Sequence, residues 1–343
     1  MIYLTNSAER PVIGITLGDY NGIGPEIILK TLVDNRILKL CTPVIYGSYK
    51  ILAKYKKLMD LHEDVSFFSV KNIEGINHKK LNIVTCWEDD FEIQPGSVTE
   101  QAGKCSFISI EKAAADLSSQ KLDAVVTAPI NKNNIQSADF KFPGHTEYFT
   151  QKAGVSDSLM LLVSDKLRVG VVTGHIPLGE VKNHITKERI FSKLNVMHKS
   201  LKGDFGISKP RIAILGLNPH AGENGMLGKE EQEIIIPLME ELKQKGALLF
   251  GPFSADGFFG MHHYKKFDAV LGMYHDQGLI PFKTIAFDSG VNYTAGLPFV
   301  RTSPDHGTAY EVAGKNMANE SSFREALFTA VDIVKSRKPV LVQ

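Results

Sequence analysis

The sequence predicts an α/β protein in which short buried strands alternate with amphipathic helices. Eight apolar runs have the length of a strand: residues 12–17, 43–46, 81–85, 124–127, 159–163, 168–173, 211–217 and 269–273. Most are continuously apolar, which is typical of strands buried on both faces of a largely parallel sheet. Helical periodicity fills the intervals between them, and this βα alternation favours a layered fold.

Helix-end signals locate the intervening helices. Pro25 and Glu26 begin the first, because proline is tolerated at the first helical position and an acid suits the first turn. Ser97 and Glu100 form a capping box that predicts a helix through Leu117. Three further helices are predicted over residues 187–201, 230–245 and 322–335.

Length and composition exclude several classes of protein. The 343 residues predict roughly two domains, at about 150 residues each. The net charge of +1 argues against a protein that coats nucleic acid or an anionic membrane. There is no apolar run of roughly 18 residues, no signal-peptide pattern and no CxxC pair among the three cysteines. We therefore expect a soluble cytoplasmic protein without nucleic-acid or membrane partners.

A glycine-rich segment, GDYNGIGPE at residues 18–26, follows the first predicted strand. It lacks the Gly-Lys-Ser/Thr of a phosphate-binding Walker loop, and its glycines at 18, 22 and 24 do not match G-x-G-x-x-G. Two interpretations stay open. The segment is either a tight turn that needs positive φ, or a loop that also lines a ligand cleft.

Three histidines follow predicted strands directly: His175, His220 and His275. Ligands of open α/β sheets bind at the carboxyl ends of the strands, so these side chains are expected at one edge. Three neutral imidazoles with an open position suit a catalytic divalent metal. Their spacings of 45 and 55 residues match no local motif, so separate polar residues in one cleft stay open. Asp276 is expected to fix the imidazole tautomer of His275 or to cap a helix.

A basic and polar cluster follows the last of these histidines. Lys283, Asn292 and Arg301 stand nine residues apart and suit a phosphate or carboxylate, although each alone is compatible with a structural role. The loop that begins at His306 (HGTA) offers backbone N–H groups and a ring, which is a weak indication of a nucleotide.

Taken in order, the segments GDYNGIGPE, FPGHTE, HIPL, GLNPHAGE, GMYHDQGL and VNYTAGLPFVRTSPDHGTA resemble the 4-hydroxythreonine-4-phosphate dehydrogenase family over nearly the whole chain. This family also resembles isocitrate and isopropylmalate dehydrogenases in fold, whose GDGIGPE and HGSAPDIAG loops are similar to residues 18–26 and 306–314. The resemblance implies a two-lobed α/β/α fold with a cleft between the lobes. Residues 1–140 and 290–343 would form lobe one, on the cofactor side, and residues 141–289 lobe two, with the metal ligands and the dimer interface.

The resemblance also implies roles for individual residues. The zinc, cobalt or magnesium ligands, contributed by both subunits of a homodimer, would be His175, His220 and His275. The residues that bind substrate and its phosphate would be His145, Thr146, Lys283, Asn292 and Arg301. NAD or NADP would lie near His306, Gly307, Thr308 and Ala309. Asp256 and Asp276 would maintain the active-site network, and the proton acceptor stays unassigned among Lys283, Asp256 and Asp276.

Two positions depart from common patterns of the family. Tyr20-Asn21 stands where a Pro-Ala pair is frequent, and Glu311 stands where an aspartate is usual in the cofactor loop. The implied reaction is the oxidation and decarboxylation of 4-phosphooxy-L-threonine to 3-amino-2-oxopropyl phosphate in pyridoxine 5′-phosphate biosynthesis. The alternatives are a related dehydrogenase for D-threonate or D-erythronate 4-phosphate, and an acyl-phosphate transferase of the same fold.

Overall fold

The computed structural model describes residues 10–61 and 65–337. The chain divides into two compact units, with unit 1 formed by Met1–Gly154 and Leu297–Gln343 and unit 2 by Val155–Gly296. These bounds differ from the expected limits at 140 and 290. Residues 141–154, with the predicted substrate ligands His145 and Thr146, belong to unit 1, and residues 290–296, with Asn292, belong to unit 2.

The described residues contain twelve strands and nine α-helices, joined by loops and short 3-10 or π-helical turns. The strands are β1 Val12–Thr16, β2 Thr42–Gly47, β3 Phe67–Val70, β4 Leu81–Thr85, β5 Ala124–Thr127, β6 Leu159–Val163, β7 Arg168–Val171, β8 Arg211–Leu215, β9 Leu248–Phe253, β10 Ala269–Gly272, β11 Val291–Ala295 and β12 Val300–Pro304. The helices are α1 Gly24–Leu32, α2 Tyr49–Leu58, α3 Glu100–Ser118, α4 His145–Lys152, α5 Lys187–Gly203, α6 Ile236–Gln244, α7 Ala255–Gly260, α8 His275–Ala286 and α9 Ser321–Arg337.

Unit 1 has an all-parallel order of strands, β3-β4-β2-β1-β5-β12. The central strand β1 buries Ile13 and Ile15 completely, as its continuous apolar run predicts. Helix α9 returns from the far end of the chain and packs on β12, where the carbonyl of Ala326 accepts the hydroxyl proton of Thr302. Two distant stretches of sequence therefore share one core.

Unit 2 has the order β11-β6-β7-β10-β8-β9. Strand β6 runs antiparallel to both neighbours, whereas β7, β10, β8 and β9 are mutually parallel. Helix α8 packs tightly on β7 at Gly278, where an added Cβ would lie 2.8 Å from Val169 and 2.9 Å from Val171. The absence of a side chain at Gly278 therefore fixes the position of the helix that begins at His275.

The α/β class and all eight predicted strands are confirmed. The capping box was wrong in its detail. Thr99, not Ser97, is the N-cap of α3, and its hydroxyl accepts a hydrogen bond from the N–H of Ala102. Both residues were available to cap, but the preceding turn brings Ser97 onto the carbonyl of Gln94 and leaves Thr99 extended at the helix start.

The helices and the three cysteines bear on membrane crossing and on disulfide formation. In the part of the chain that the structure describes, none of the helices combines the length and apolarity that a bilayer crossing requires. Cys41, Cys86 and Cys105 are all free thiols. Burial raises the pKa of Cys41 and Cys86 to about 12, so both stay protonated and unreactive at neutral pH.

Candidate active site

Two of the three predicted metal ligands meet at the carboxyl edge of the parallel strands of unit 2. His175 and His275 follow β7 and β10, which are neighbours in the sheet. The two segments stay hydrogen-bonded beyond the strands, since the N–H and hydroxyl of Thr173 both donate to the carbonyl of Met273, at 3.1 and 2.8 Å. This pairing brings the centroids of the two imidazole rings to 5.5 Å.

His275 opens α8, and its neighbours fix its orientation. The Nδ1 atom of His275 lies 2.7 Å from a carboxylate oxygen of Asp276, as the sequence predicts, which leaves Nε2 as the ring nitrogen not engaged by Asp276. Gln277 was not predicted as a functional residue. Its side chain accepts from the N–H of Met273 and donates to the carbonyl of Gly216, both at 2.6 Å, and so ties together the loops that follow β10 and β8.

The third histidine lies in an unusual backbone turn. His220 follows β8, and the five residues 220–224 all have positive φ, between 42° and 82°. Asp256, in the first turn of α7, is its electrostatic neighbour. The Ser254 hydroxyl lowers the pKa of the Asp256 carboxyl, with smaller contributions from the Gly257 N–H and from His220. Asp256 and His220 are both exposed to solvent in the single chain.

The donor set fits a divalent metal only in part. Neighbouring imidazoles with a carboxylate behind one of them are a known arrangement for divalent transition metals. An added Cβ at Gly174, beside His175, would meet no atom within 4 Å, so there is room next to the ring. Across residues 10–61 and 65–337, however, no three His, Cys, Asp or Glu side chains come close enough to hold an ion together. One chain therefore supplies a pair of histidines, with His220 apart from it.

The predicted substrate residues of unit 2 are Lys283 and Asn292. Lys283 lies on α8, two turns after His275, and is half-buried. Asn292 lies on β11 opposite Leu162 of β6. Its side-chain oxygen is buried and has no hydrogen-bond partner among the described residues. A buried amide oxygen is costly to leave unsatisfied, so this atom marks a position where a ligand donor is expected.

Unit 1 contains the other three predicted substrate residues. Arg301 is the largest fully buried side chain among the described residues, and its Nε and Nη2 atoms donate to the hydroxyl of Thr127 at 3.2 and 2.6 Å. Burial lowers the pKa of Arg301 to about 9, so the guanidinium is still a cation at neutral pH. Its partner strand is β5, where Arg301 lies opposite Val125.

His145 begins α4, directly before Thr146, which occupies the same first turn. Burial, followed by the positive charges of Arg301 and Lys132, lowers the pKa of His145 well below its usual range. The ring is therefore neutral at pH 7. Its buried Nε2 atom makes no hydrogen bond within the described residues. A neutral imidazole next to a buried cation is suited to bind an anionic ligand without being protonated itself.

The predicted cofactor loop rests on the glycine-rich opening segment. The N–H of Ile23 donates to the carbonyl of Thr308 at 3.0 Å. An added Cβ at Gly22 would lie 2.9 Å from the same residue, so glycine allows the close approach. The tight-turn interpretation of the opening segment is confirmed, and the ligand-cleft interpretation stays a prediction. Gly18 has a φ of 68°, as a tight turn requires, and the segment contacts the predicted cofactor loop at Thr308.

Asp19 connects this loop to its surroundings and was not singled out by the sequence. Its buried carboxylate accepts hydrogen bonds from the N–H of Asn21 at 2.9 Å, from the Asn134 amide at 2.7 Å and from the Tyr310 hydroxyl at 2.8 Å. Tyr310 directly follows Ala309, the last predicted cofactor residue, which has a φ of 42°. Gly307 is exposed, and an added Cβ there would meet nothing within 4 Å, which leaves space for a ligand.

A family model described as the pyridoxal phosphate biosynthetic protein PdxA matches residues 39–330, which include every predicted site residue. The chain belongs to the PdxA family. The 4-hydroxythreonine-4-phosphate dehydrogenase of Bacteroides thetaiotaomicron is 50% identical over 327 residues, or 95% of this chain and 89% of that protein. The crystal structure of the enzyme of that name from Klebsiella pneumoniae has a TM-score of 0.83 and 35% identity, covering 96% of this chain and 100% of its own.

Other members of the PdxA family carry a different name. The D-threonate 4-phosphate dehydrogenase of Cupriavidus necator is 39% identical over 333 residues, or 95% of this chain and 98% of that protein. All three relatives are dehydrogenases, and this chain is accordingly an oxidoreductase. The family resemblance inferred from the motifs is thereby confirmed.

Proposed function

We propose that this chain oxidises and decarboxylates 4-phosphooxy-L-threonine to 3-amino-2-oxopropyl phosphate, with NAD as the hydride acceptor and a divalent metal at the histidine edge. The observation that carries the proposal is the meeting of His175 and His275 at the ends of adjacent parallel strands, with Asp276 behind one ring. The 50% identity to a relative named for this reaction supports the same substrate.

The metal ligands in the proposal are His175, His220 and His275. A divalent ion at these residues would supply Lewis acidity for an alcohol oxidation and for the enolate that follows loss of CO2. The Asp276 carboxylate holds the proton on Nδ1 of His275, and so keeps Nε2 as a lone-pair donor. In the proposal the reacting hydroxyl of the substrate lies at the strand ends, and the candidates to accept its proton are Lys283, Asp256 and Asp276.

Anion recognition in the proposal rests on buried groups. Arg301 carries a positive charge in a position that is 2% exposed, where a charge–phosphate interaction is screened little by water. The His145 ring stays neutral, and its Nε2 atom is available for a hydrogen bond with the ligand. The side-chain oxygen of Asn292 is available to accept a hydrogen bond from a donor such as the substrate ammonium. Thr146 offers a hydroxyl in the first turn of α4.

The cofactor in the proposal binds at His306, Gly307, Thr308 and Ala309. Support comes from the open space around Gly307 and from the tight attachment of this loop to residues 18–24. The nicotinamide supplies the hydride chemistry, and the loop would fix where the cofactor lies. Glu311 is exposed and its carbonyl accepts from the Lys315 ammonium, so the Asp-to-Glu departure affects the outer side of the loop.

We further propose that two chains form a homodimer through unit 2. Large apolar side chains are exposed in the stretches of chain that follow the three histidines and Asp256: Leu178, Met226, Leu227, Met261, Ile280 and Phe287. Exposed large apolar side chains are enriched in protein interfaces. A dimer of this kind would cover the exposed imidazoles and would allow ligands from two chains to complete the metal site. Light scattering after size exclusion measures the assembly, and a strictly monomeric mass would contradict it.

D-threonate 4-phosphate is the second candidate substrate, because relatives of the same family carry that name at 37–39% identity. The two molecules share the phosphate and the oxidised hydroxyl and differ at C2, where one carries an ammonium and the other a hydroxyl. The residues that face C2 therefore decide between them.

The test is a panel of phosphorylated hydroxy acids with NAD and NADP, followed by the absorbance of the reduced nicotinamide and by CO2 release. We expect turnover with 4-phosphooxy-L-threonine to exceed turnover with D-threonate 4-phosphate by at least tenfold in kcat/KM. The reverse order would replace the first substrate with the second. Absence of nicotinamide reduction with every substrate would refute the proposed dehydrogenase chemistry.

A further inference from the structure

The turn that carries His220 is a left-handed helical turn. Residues His220, Ala221, Gly222, Glu223 and Asn224 have φ values of 51°, 50°, 82°, 42° and 54°. Glycine adopts this region freely, and asparagine and histidine tolerate it as single residues, so the consecutive run disfavours Ala221 and Glu223 most. Such a run persists only where the surroundings determine it, and the contacts around the turn should show what does so.

The carboxylate of Glu231 occupies the base of this turn. Its Oε1 atom accepts from the N–H of Asn218 at 2.8 Å, and its Oε2 atom accepts from the Asn218 side-chain amide at 3.0 Å. On the other side of His220, an added Cβ at Gly222 would lie 2.6 Å from Oε2. A similar Cβ at Gly216 would lie 3.0 Å from Oε1. Glu231 is 1% exposed, and its carboxylate lies against the chain both before His220, at Asn218, and after it, at Gly222.

The local helix geometry explains how Glu231 reaches this position. Residues Glu231–Ile235 form one π-helical turn, in which the N–H of Ile236 donates to the carbonyl of Glu231, five residues back. Pro237 follows and has no N–H to donate, and its ring would crowd the carbonyl four residues earlier. The wide turn relieves this conflict and rotates the first residues of the helix relative to α6. Single π-turns inside helices are frequent at functional sites.

We propose that Glu231 is a positioning residue for the metal site: its buried carboxylate holds the left-handed turn that presents the His220 imidazole. Glu230 supports the same turn from the rim, because its carboxylate accepts from Asn218 at 2.8 Å and pairs with Lys182 at 2.9 Å. The inference rests on the proposed function, since it assigns His220 a role only if the site binds a metal.

The experiment measures Co2+ binding to the full chain by visible absorption, without substrate or nicotinamide. Glu231→Ala is expected to weaken Co2+ binding by tenfold or more and to alter the ligand-field spectrum. The reason is that loss of a group that orients a metal ligand commonly lowers metal affinity by about 10–100-fold. Glu231→Gln keeps the size and one acceptor and is expected to fall between Glu231→Ala and the wild type. The matched control is Glu233→Ala, two residues along the same helix, whose side chain is 65% exposed. It should bind Co2+ as the wild type does.

Equal Co2+ affinity and equal spectra for Glu231→Ala and the wild type would overturn the proposal. If Glu231→Ala does not fold, the Co2+ affinity and the spectrum of Glu231→Gln are compared with those of the wild type instead, and equality of both would overturn the proposal. Binding of NAD is an internal check: the predicted cofactor loop belongs to unit 1, so a positioning role predicts unchanged NAD affinity in the Glu231 variants. A wild-type chain that binds no Co2+ would refute the proposed metal site itself, and the inference about Glu231 would fall with it.

Discussion

Replacing Tyr310 with phenylalanine tests whether the carboxylate of Asp19 holds the predicted cofactor loop. The Tyr310 hydroxyl donates to Oδ2 of Asp19 at 2.8 Å, and Asp19 is completely buried. A hydrogen bond to a charged group contributes about 1.5–3 kcal/mol. Since Asp19 keeps two other donors, Asn21 and Asn134, we expect Tyr310→Phe to lower the free energy of unfolding of unit 1 by about 2 kcal/mol.

The chain contains a single tryptophan, Trp87, which lies in unit 1 and is 8% exposed. Its fluorescence therefore reports the unfolding of this unit. With a urea slope of about 2.5 kcal/mol/M, the expected loss moves the midpoint down by about 0.8 M. Tyr49→Phe is the matched control, because the Tyr49 side chain is half-exposed, and it should leave the midpoint unchanged.

The same variants allow the hydrogen bond to be isolated from other effects of the substitution. A double-mutant cycle combines Tyr310→Phe with Asp19→Asn. Because Tyr310 and Asp19 are in direct contact, their coupling energy should be at least about 1 kcal/mol. Strict additivity of Tyr310→Phe and Asp19→Asn, or a midpoint for Tyr310→Phe equal to that of the Tyr49→Phe control, would refute the reasoning.

Three further predictions concern the candidate ligands. Arg301→Ala should raise KM for the phosphorylated substrate at least tenfold in steady-state kinetics, and an unchanged KM removes Arg301 from phosphate binding. Asp276→Asn should weaken Co2+ binding by about 10–100-fold through His275, as equilibrium titration would measure, and wild-type affinity would exclude this support. The lowered pKa of His145 means that the unfolded chain takes up a proton near pH 6.5 that the folded chain does not. Stability should therefore fall as the pH drops below about 6.5, and His145→Gln should flatten this slope in urea midpoints between pH 7.5 and 5.5; parallel slopes would contradict it.

The sequence predicted eight of the twelve strands in the described residues and missed β3, β9, β11 and β12, of which β11 and β12 carry buried polar groups. Strand β12 contains Arg301, Thr302 and Ser303, all buried, and β11 contains the buried Thr294. Their hydrogen-bond partners are distant in sequence. Arg301, for example, donates to the hydroxyl of Thr127. A pattern based on hydrophobicity assigns such segments to loops or binding motifs, so the polar residues were recognised and their strands were not.

The candidate site was predictable to the extent that sheet topology determines it. Strand ends at β7 and β10 are adjacent, which is why His175 and His275 meet. The turn at His220 was not predictable, because its positive φ values at Ala221 and Glu223 oppose local preference and depend on Glu231. Glu231 itself looked like an ordinary acid in the first turn of a helix, and nothing in the local sequence signals the π-turn except Pro237.

The discontinuity of unit 1 has a consequence for the order in which the molecule is made. Strand β12 pairs with β5, and α9 packs on β12, yet about 170 residues of chain separate β5 from β12. During translation unit 2 is therefore complete before unit 1 can close its sheet. The edge of β5 that pairs with β12 stays unpaired until the last part of the chain has emerged from the ribosome. We expect nascent chains truncated before β12 to protect unit 2 from protease while unit 1 is still cleaved, with β5 as the surface that a chaperone would have to guard.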